Sequence, residues 1–148
     1  MLLVLSSCIR REGTSPGNNA PYFNIPTIDN KNLSLEDYQG KVVVLNLWGS
    51  YCEPCKDELP SLERLNLQLK ERGVNVISVG IFDTAEQLKA LADQTGVTFP
   101  VGVDINSDVS KKYQSSKIPE TFIIDKEGKI VLFPDPLQGP TARITGPR

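Results

Sequence analysis

The chain contains no histidine. That absence removes a Ser–His–Asp triad, a Cys–His protease pair, a histidine metal site and haem ligation by histidine. Proton transfer must therefore run through carboxylates, thiols, lysines or water. A dominant charge is also missing: 16 Lys and Arg against 18 Asp and Glu leave −2, so there is no electrostatic footprint for nucleic acid. No internal apolar run approaches the ~20 residues that cross a bilayer, and no repeat or low-complexity tract interrupts the chain. Cysteine is scarce, with three in 148 residues. What remains, 39% hydrophobic and 23% charged, is ordinary for one globular domain large enough to bury a core.

Two of the three cysteines stand as Cys52-Glu53-Pro54-Cys55. Before them runs Val42-Val43-Val44-Leu45-Asn46-Leu47-Trp48, short, β-branched and bounded by glycines, which predicts a buried strand. After them, Pro54 to Arg72 carries Leu59, Leu62, Leu65 and Leu69 at helical spacing and stops at Gly73. A helix N-terminus gathers unpaired N–H groups and partial positive charge, which favour a thiolate placed there. Cys52 is thus suited to be a nucleophile, and Cys55, one turn in, to resolve the mixed disulfide that Cys52 forms. The alternative is half of a zinc site. Zinc takes four ligands, and the only other cysteine is the distant Cys8. Dithiol redox chemistry is the expectation, with no metal and no cofactor.

Around this core the elements follow in order. Tyr22 to Leu35 predicts an edge hairpin, with Pro26 tolerated at an edge and a turn at Asp29-Asn30-Lys31-Asn32. Ser34 to Asp37 opens a short helical turn ending near Gly40. Val74 to Phe82 predicts a second buried strand. Thr84-Ala85-Glu86-Gln87 has the form of a capping box, for a helix running to Gly96. Phe99 to Val103 is a third strand and Asp108 to Tyr113 a brief helix. Thr121 to Asp125 and Ile130 to Phe133 flank the turn Lys126-Glu127-Gly128-Lys129, a hairpin signal. This order predicts an α/β fold, a central mixed sheet flanked by helices with an N-terminal hairpin extension.

Three segments are expected: a tether over 1–20, a folded domain over 21–133 and an irregular tail over 134–148. Leu5-Ser6-Ser7-Cys8 resembles a bacterial lipobox, whose cysteine is lipidated, although the apolar stretch before it is too short for a full export signal. The expectation is a lipid anchor on Cys8 with the true start upstream; the alternative is a stray apolar terminus with a free cysteine. Ile9 to Ala20, rich in Arg, Glu, Gly, Ser, Pro and Asn, has the composition of a flexible tether.

The order of elements resembles the membrane-tethered thioredoxin-like thiol–disulfide oxidoreductases of the TlpA, ResA and CcmG type. The resemblance covers roughly Ala20 to Phe133 and rests on the runs from Leu47 to Glu58 and from Ile118 to Asp125. It implies a thioredoxin-like fold in which a cis-proline, here Pro119, faces the CxxC pair. A missing N–H at that point leaves an open edge for a substrate backbone; the alternative is a trans proline opening a strand. It further implies an extracytoplasmic location, a disulfide-bearing client such as apocytochrome c, and a membrane electron donor.

Cytosolic thioredoxins carry an aspartate six residues before the first cysteine, where this chain has Asn46, which cannot titrate. Glu58 is the substitute. It lies three residues after Cys55 on the same helix face, and ResA-type proteins have a functional glutamate at the corresponding position. The competing expectation is a solvated helix residue. Trp48 is either an aromatic wall of the substrate groove or core packing at the strand end, and Tyr51 is expected to pack only. Glu120 either shapes substrate choice or merely faces solvent. Glu53, with Asp57, Glu58 and Glu120, surrounds the thiols with negative charge, partly offset by Lys56. Such charge disfavours the thiolate, which predicts a reductant. Two other functions stand beside it. A peroxiredoxin-like peroxidase typically has Pro and Thr where this chain has Leu45 and Gly49; a copper(I) chaperone would use Cys52 and Cys55, but such relatives usually add a histidine. The tail, with Pro134, Pro136, Pro140 and Pro147, shows no amphipathic pattern, so the family's closing helix is expected to be missing.

Overall fold

The computed structural model describes residues 13–132. The lipobox with Cys8 and the expected helix-less tail over 134–148 lie outside them.

Strand β3 (Val42–Trp48) is the middle of the molecule. It pairs in parallel with β4 (Val74–Gly80) and antiparallel with β6 (Glu120–Ile124). Strand β5 (Val101–Val103) extends the sheet beyond β4 and β7 (Ile130–Leu132) beyond β6, giving the order β5-β4-β3-β6-β7. Because side chains alternate along a strand, Val43, Leu45 and Leu47 enter one core and Val44 and Trp48 the other. A strand buried on both faces reads as an unbroken apolar run, which is why it was recognisable.

The first core is closed by the N-terminal hairpin, β1 (Asn24–Pro26) with β2 (Asn32–Ser34), by a 3-10 turn over Leu35–Tyr38 and by α3 (Asp108–Lys112). Tyr113 packs edge-on against Phe23 and Phe122, and its hydroxyl donates to the Pro21 carbonyl at 2.8 Å. The hairpin also guards the open edge of β5 through a bridge between Thr27 and Gly102. A side chain on Gly102 would strike Ile25 at 2.6 Å, so glycine permits this contact.

The second core lies under α1 (Glu53–Leu69) and α2 (Ala85–Thr95). Helix α1 buries Cys55, Leu59 and Leu62, passes into a 3-10 turn over Lys70–Arg72 and ends at Gly73, whose φ of 76° is left-handed. Thr84 caps α2 by accepting from the Gln87 N–H at 3.2 Å, as the capping-box pattern predicts. The Glu63 carboxylate accepts from the Thr98 N–H at 2.9 Å and hydroxyl at 2.6 Å, tying α1 to the loop before β5. Leu59 is fully buried among Trp48, Val44 and Leu88. Leu59→Ala should therefore lower unfolding free energy by about 2–5 kcal/mol, measured by denaturant titration.

Two details differ from expectation. Strand β4 ends at Gly80 rather than Phe82, because Phe82 takes a left-handed φ of 52° that no extended strand can accommodate. The tether also does not extend to Ala20. The N–H groups of Gly17 and Ala20 donate to the carbonyls of Ile130 and Gly128 at 2.7 and 2.9 Å, and Ala20 is buried. The outer edge of the β6–β7 hairpin offers free backbone groups there, a partner that composition alone does not reveal.

Candidate active site

The C-terminal end of β3 delivers the chain through Gly49 and Ser50 to Cys52, which caps α1. Its sulfur accepts from the Cys55 N–H at 3.3 Å. Pro54 in the first turn suits a position whose N–H has no helical acceptor. Cys52 and Cys55 form a disulfide with Cα atoms 5.2 Å apart. Their environments differ: Cys52 is half-buried, whereas Cys55 is 1% exposed within the second core. Cys52 is the more exposed of the two.

The entry loop is held from the side. Asp83 accepts from the Ser50 N–H at 2.6 Å and from the Thr84 N–H at 2.8 Å, linking the approach to Cys52 with the start of α2. The Tyr51 hydroxyl donates to the Ile81 carbonyl at 3.1 Å while the residue stays 57% exposed. Tyr51 was expected only to pack and instead stands beside Cys52 at the surface. Burial of its hydroxyl, with Asp83 second, raises its pKa. A side chain on Gly49 would meet the Tyr51 ring at 2.6 Å, so Gly49 sets the ring's position.

Facing Cys52 is the Ile118–Pro119 peptide, which is cis. The Ile118 carbonyl oxygen lies 3.7 Å from the Cys52 sulfur. Pro119 lines a cavity of about 520 Å³ together with Glu58, Glu120 and the apolar side chains of Val44, Leu62 and Ile123. Glu58 and Glu120 are both half-buried. Desolvation raises the pKa of each, opposed at Glu58 by the Asn46 amide and at Glu120 by the Ser115 hydroxyl, which donates at 2.8 Å. Asn46 in turn donates to Thr121 across the sheet at 3.0 Å. The Oε2 of Glu58 and the Oδ1 of Asn46 are buried with no hydrogen-bond partner among the described residues.

The site thus brings together Cys52, Cys55, Pro119, Glu58 and Glu120. It does not include Trp48. That side chain is fully buried in the second core because α1 closes over its face of β3, so it packs the strand end and cannot form a groove wall. Glu53 is exposed and bonded to Lys56 at 2.8 Å, which leaves it little influence on the sulfurs. Asp83 and Ser115 were missed by sequence reasoning. Asp83 sits beside the Thr84 cap without a motif of its own, and the Ser115–Glu120 bond exists only once α3 and β6 are folded. Among the described residues no group of three or more His, Cys, Asp or Glu is gathered to hold a metal.

A disulfide at the head of a helix, opposite a cis-proline at the end of a mixed sheet, defines a thioredoxin-like dithiol site. A family model described as AhpC/TSA matches residues 16–133, and the chain belongs to that family, within its thioredoxin-like thiol–disulfide oxidoreductases. It is 36% identical over 141 residues to the thiol-disulfide oxidoreductase ResA of Bacillus anthracis, an alignment spanning 88% of this chain and 82% of that one. ResA of Bacillus subtilis is 36% identical over 121 residues, covering 82% of this chain and 68% of its own length. The solved thioredoxin domain of a thiol-disulfide oxidoreductase from Bacteroides vulgatus superposes with a TM-score of 0.75 at 25% identity, covering 80% of this chain and 87% of that one. The protein is a thiol–disulfide oxidoreductase.

Proposed function

We propose that this enzyme is an extracytoplasmic reductant, held at a membrane through a lipid on Cys8, that reduces disulfides in client proteins such as apocytochrome c. The observation that carries the direction is the pair of half-buried carboxyl groups, Glu58 and Glu120, on the cavity beside the dithiol. In the reduced protein the Cys52 thiolate attacks one client sulfur and expels the other as a thiolate. Cys55 loses its proton to Glu58 and attacks the Cys52 sulfur of the mixed disulfide. The client leaves with both sulfurs reduced, and the two electrons have come from what is now the Cys52–Cys55 disulfide. A membrane electron donor then restores the dithiol. Pro119, with no N–H, leaves the edge facing Cys52 open to the client backbone.

The test uses Cys55→Ala, which removes the resolving sulfur while leaving the exposed one. Incubated with purified apocytochrome c whose haem-binding cysteines are oxidised, this variant should accumulate a mixed disulfide through Cys52, seen by non-reducing electrophoresis and mass spectrometry. Failure to form that adduct, with a small aromatic disulfide still trapped, would remove apocytochrome c as a client.

A further inference from the structure

Phe82 is out of place on two counts. Its ring is 63% exposed, and its backbone holds a φ of 52°, a region costly for a bulky side chain and open to glycine. Glycine at this position would remove both costs. Four non-glycine residues among those described have positive φ, and three of them, Phe82, Ser107 and Gln114, line a single cleft of about 390 Å³. Backbone held in sparsely populated regions gathers where a fold positions groups for function. The fourth, Asn30, lies in the hairpin turn, where asparagine is common.

The cleft adjoins the reactive site at both ends. Tyr51, next to Cys52, bonds the carbonyl of Ile81, the residue before Phe82. Gln114 and Ser116 are shared with the cavity that contains Glu58 and Pro119. Hydroxyl and amide groups line the rest, and among the described residues the only charged lining residue is Lys111. The neighbouring Lys112 is paired with Asp108 at 3.1 Å, whereas the Lys111 ammonium has no ion pair among the described residues. Lys111 also lines a second cleft with Asp104 and Asp108, but Asp108 is paired with Lys112 and the Asp104 carboxylate accepts the Val109 and Ser110 N–H groups at 3.0 and 2.9 Å.

We propose that this cleft is a client subsite: it takes the polypeptide flanking the client's disulfide, an apolar side chain lying on the Phe82 ring and an acidic one reaching Lys111. The proposal rests on the protein-client function above. An exposed aromatic beside an unpaired cation, in a cleft that shares Gln114 and Ser116 with the cavity of Glu58 and Pro119, suits an acidic peptide and gives a small neutral disulfide nothing to hold.

Two synthetic peptides provide the test, each with one internal disulfide, flanked in one by Asp and Glu and in the other by Lys. Hydroxyethyl disulfide serves as the small neutral substrate, and the reduced full chain is the enzyme, returned to the dithiol after each turnover by a small dithiol reductant whose direct reaction with the substrate is subtracted. Phe82→Ala and Phe82→Gly should each raise KM for the acidic peptide about tenfold with kcat nearly unchanged, and leave hydroxyethyl disulfide unaffected. Lys111→Glu should reverse the preference between the peptides. The Gly variant should melt above the Ala variant, since only Gly relieves the left-handed backbone; equal melting would overturn the premise of a retained strain. Peptide kinetics unchanged in all three variants would overturn the subsite and leave the client function standing. A wild type that reduces hydroxyethyl disulfide but neither peptide would overturn both.

Discussion

An equilibrium titration against a thiol–disulfide buffer should place the Cys52–Cys55 couple near thioredoxin's value of about −270 mV, far from DsbA's of about −120 mV. At about 30 mV per tenfold change, that separation is about five orders of magnitude in equilibrium constant, so the outcome is unambiguous. The reason is electrostatic. The head of α1 favours a thiolate on Cys52, and a strong oxidant would exploit that by stabilising its reduced form. Here the cavity beside the dithiol carries Glu58 and Glu120, half-buried where screening is weak. Glu53, although between the cysteines, is exposed and paired with Lys56, so the acidic influence narrows to the two cavity residues. Glu58→Gln should accordingly move the potential toward less reducing values. A wild-type potential near that of DsbA would end the reductant proposal.

Glu58→Gln should also slow the resolution step by about 10²-fold or more, the scale of a lost general base. Cys55 is buried, and its proton needs an acceptor in the protein; Glu58 is three residues further along α1 with a carboxylate oxygen bearing no other partner among the described residues. The pH dependence separates this from a structural effect. Burial raises the Glu58 pKa above its ordinary value of 4.5, so the wild-type rate should climb as pH rises through the raised value and Glu58 loses its proton. That limb should vanish in the variant. Stability should respond in the opposite sense. A carboxyl whose folded-state pKa is raised favours the fold most below its unfolded pKa, and that contribution is lost as pH rises through the folded value. Glu58→Gln should therefore be the more stable protein at neutral pH, with the advantage shrinking under acid, as urea melts at two pH values would show. Equal rates across neutral pH would make Glu58 an ordinary helix residue.

What the sequence made legible was local. Strand β3 announced itself by an unbroken β-branched run, α1 by leucine spacing and its Gly73 stop, and α2 by the Thr84 cap, because each signal lies within the element it specifies. The thiols and Glu58 followed from spacing along one helix, and the cis bond at Pro119 was implied by resemblance rather than by any local pattern. Illegible were facts created by docking. Trp48 could be assigned to wall or core only by knowing that α1 closes over its side of β3. Asp83 became a support of the Cys52 loop only when β4 and β3 lay side by side. Phe82 ended a strand that its composition would have continued, since apolar character is compatible with both an extended and a left-handed backbone.

The backbone bonds of Gly17 and Ala20 to the β6–β7 hairpin fix where the chain enters the domain. Ile130 sits level with Ile124 and Val43, at the start of β3, while Cys52 follows its end. Across the seven residues of β3 that is a separation of about 20 Å. A domain held by its N-terminus is thereby gripped at the foot of the sheet, with the reactive sulfur at the opposite pole. Such an attachment leaves the whole active-site end pointing away from its support and open to partners approaching from solution. Under the proposed membrane attachment, a membrane-bound donor has to reach the pole of the domain farthest from the point where the chain enters it.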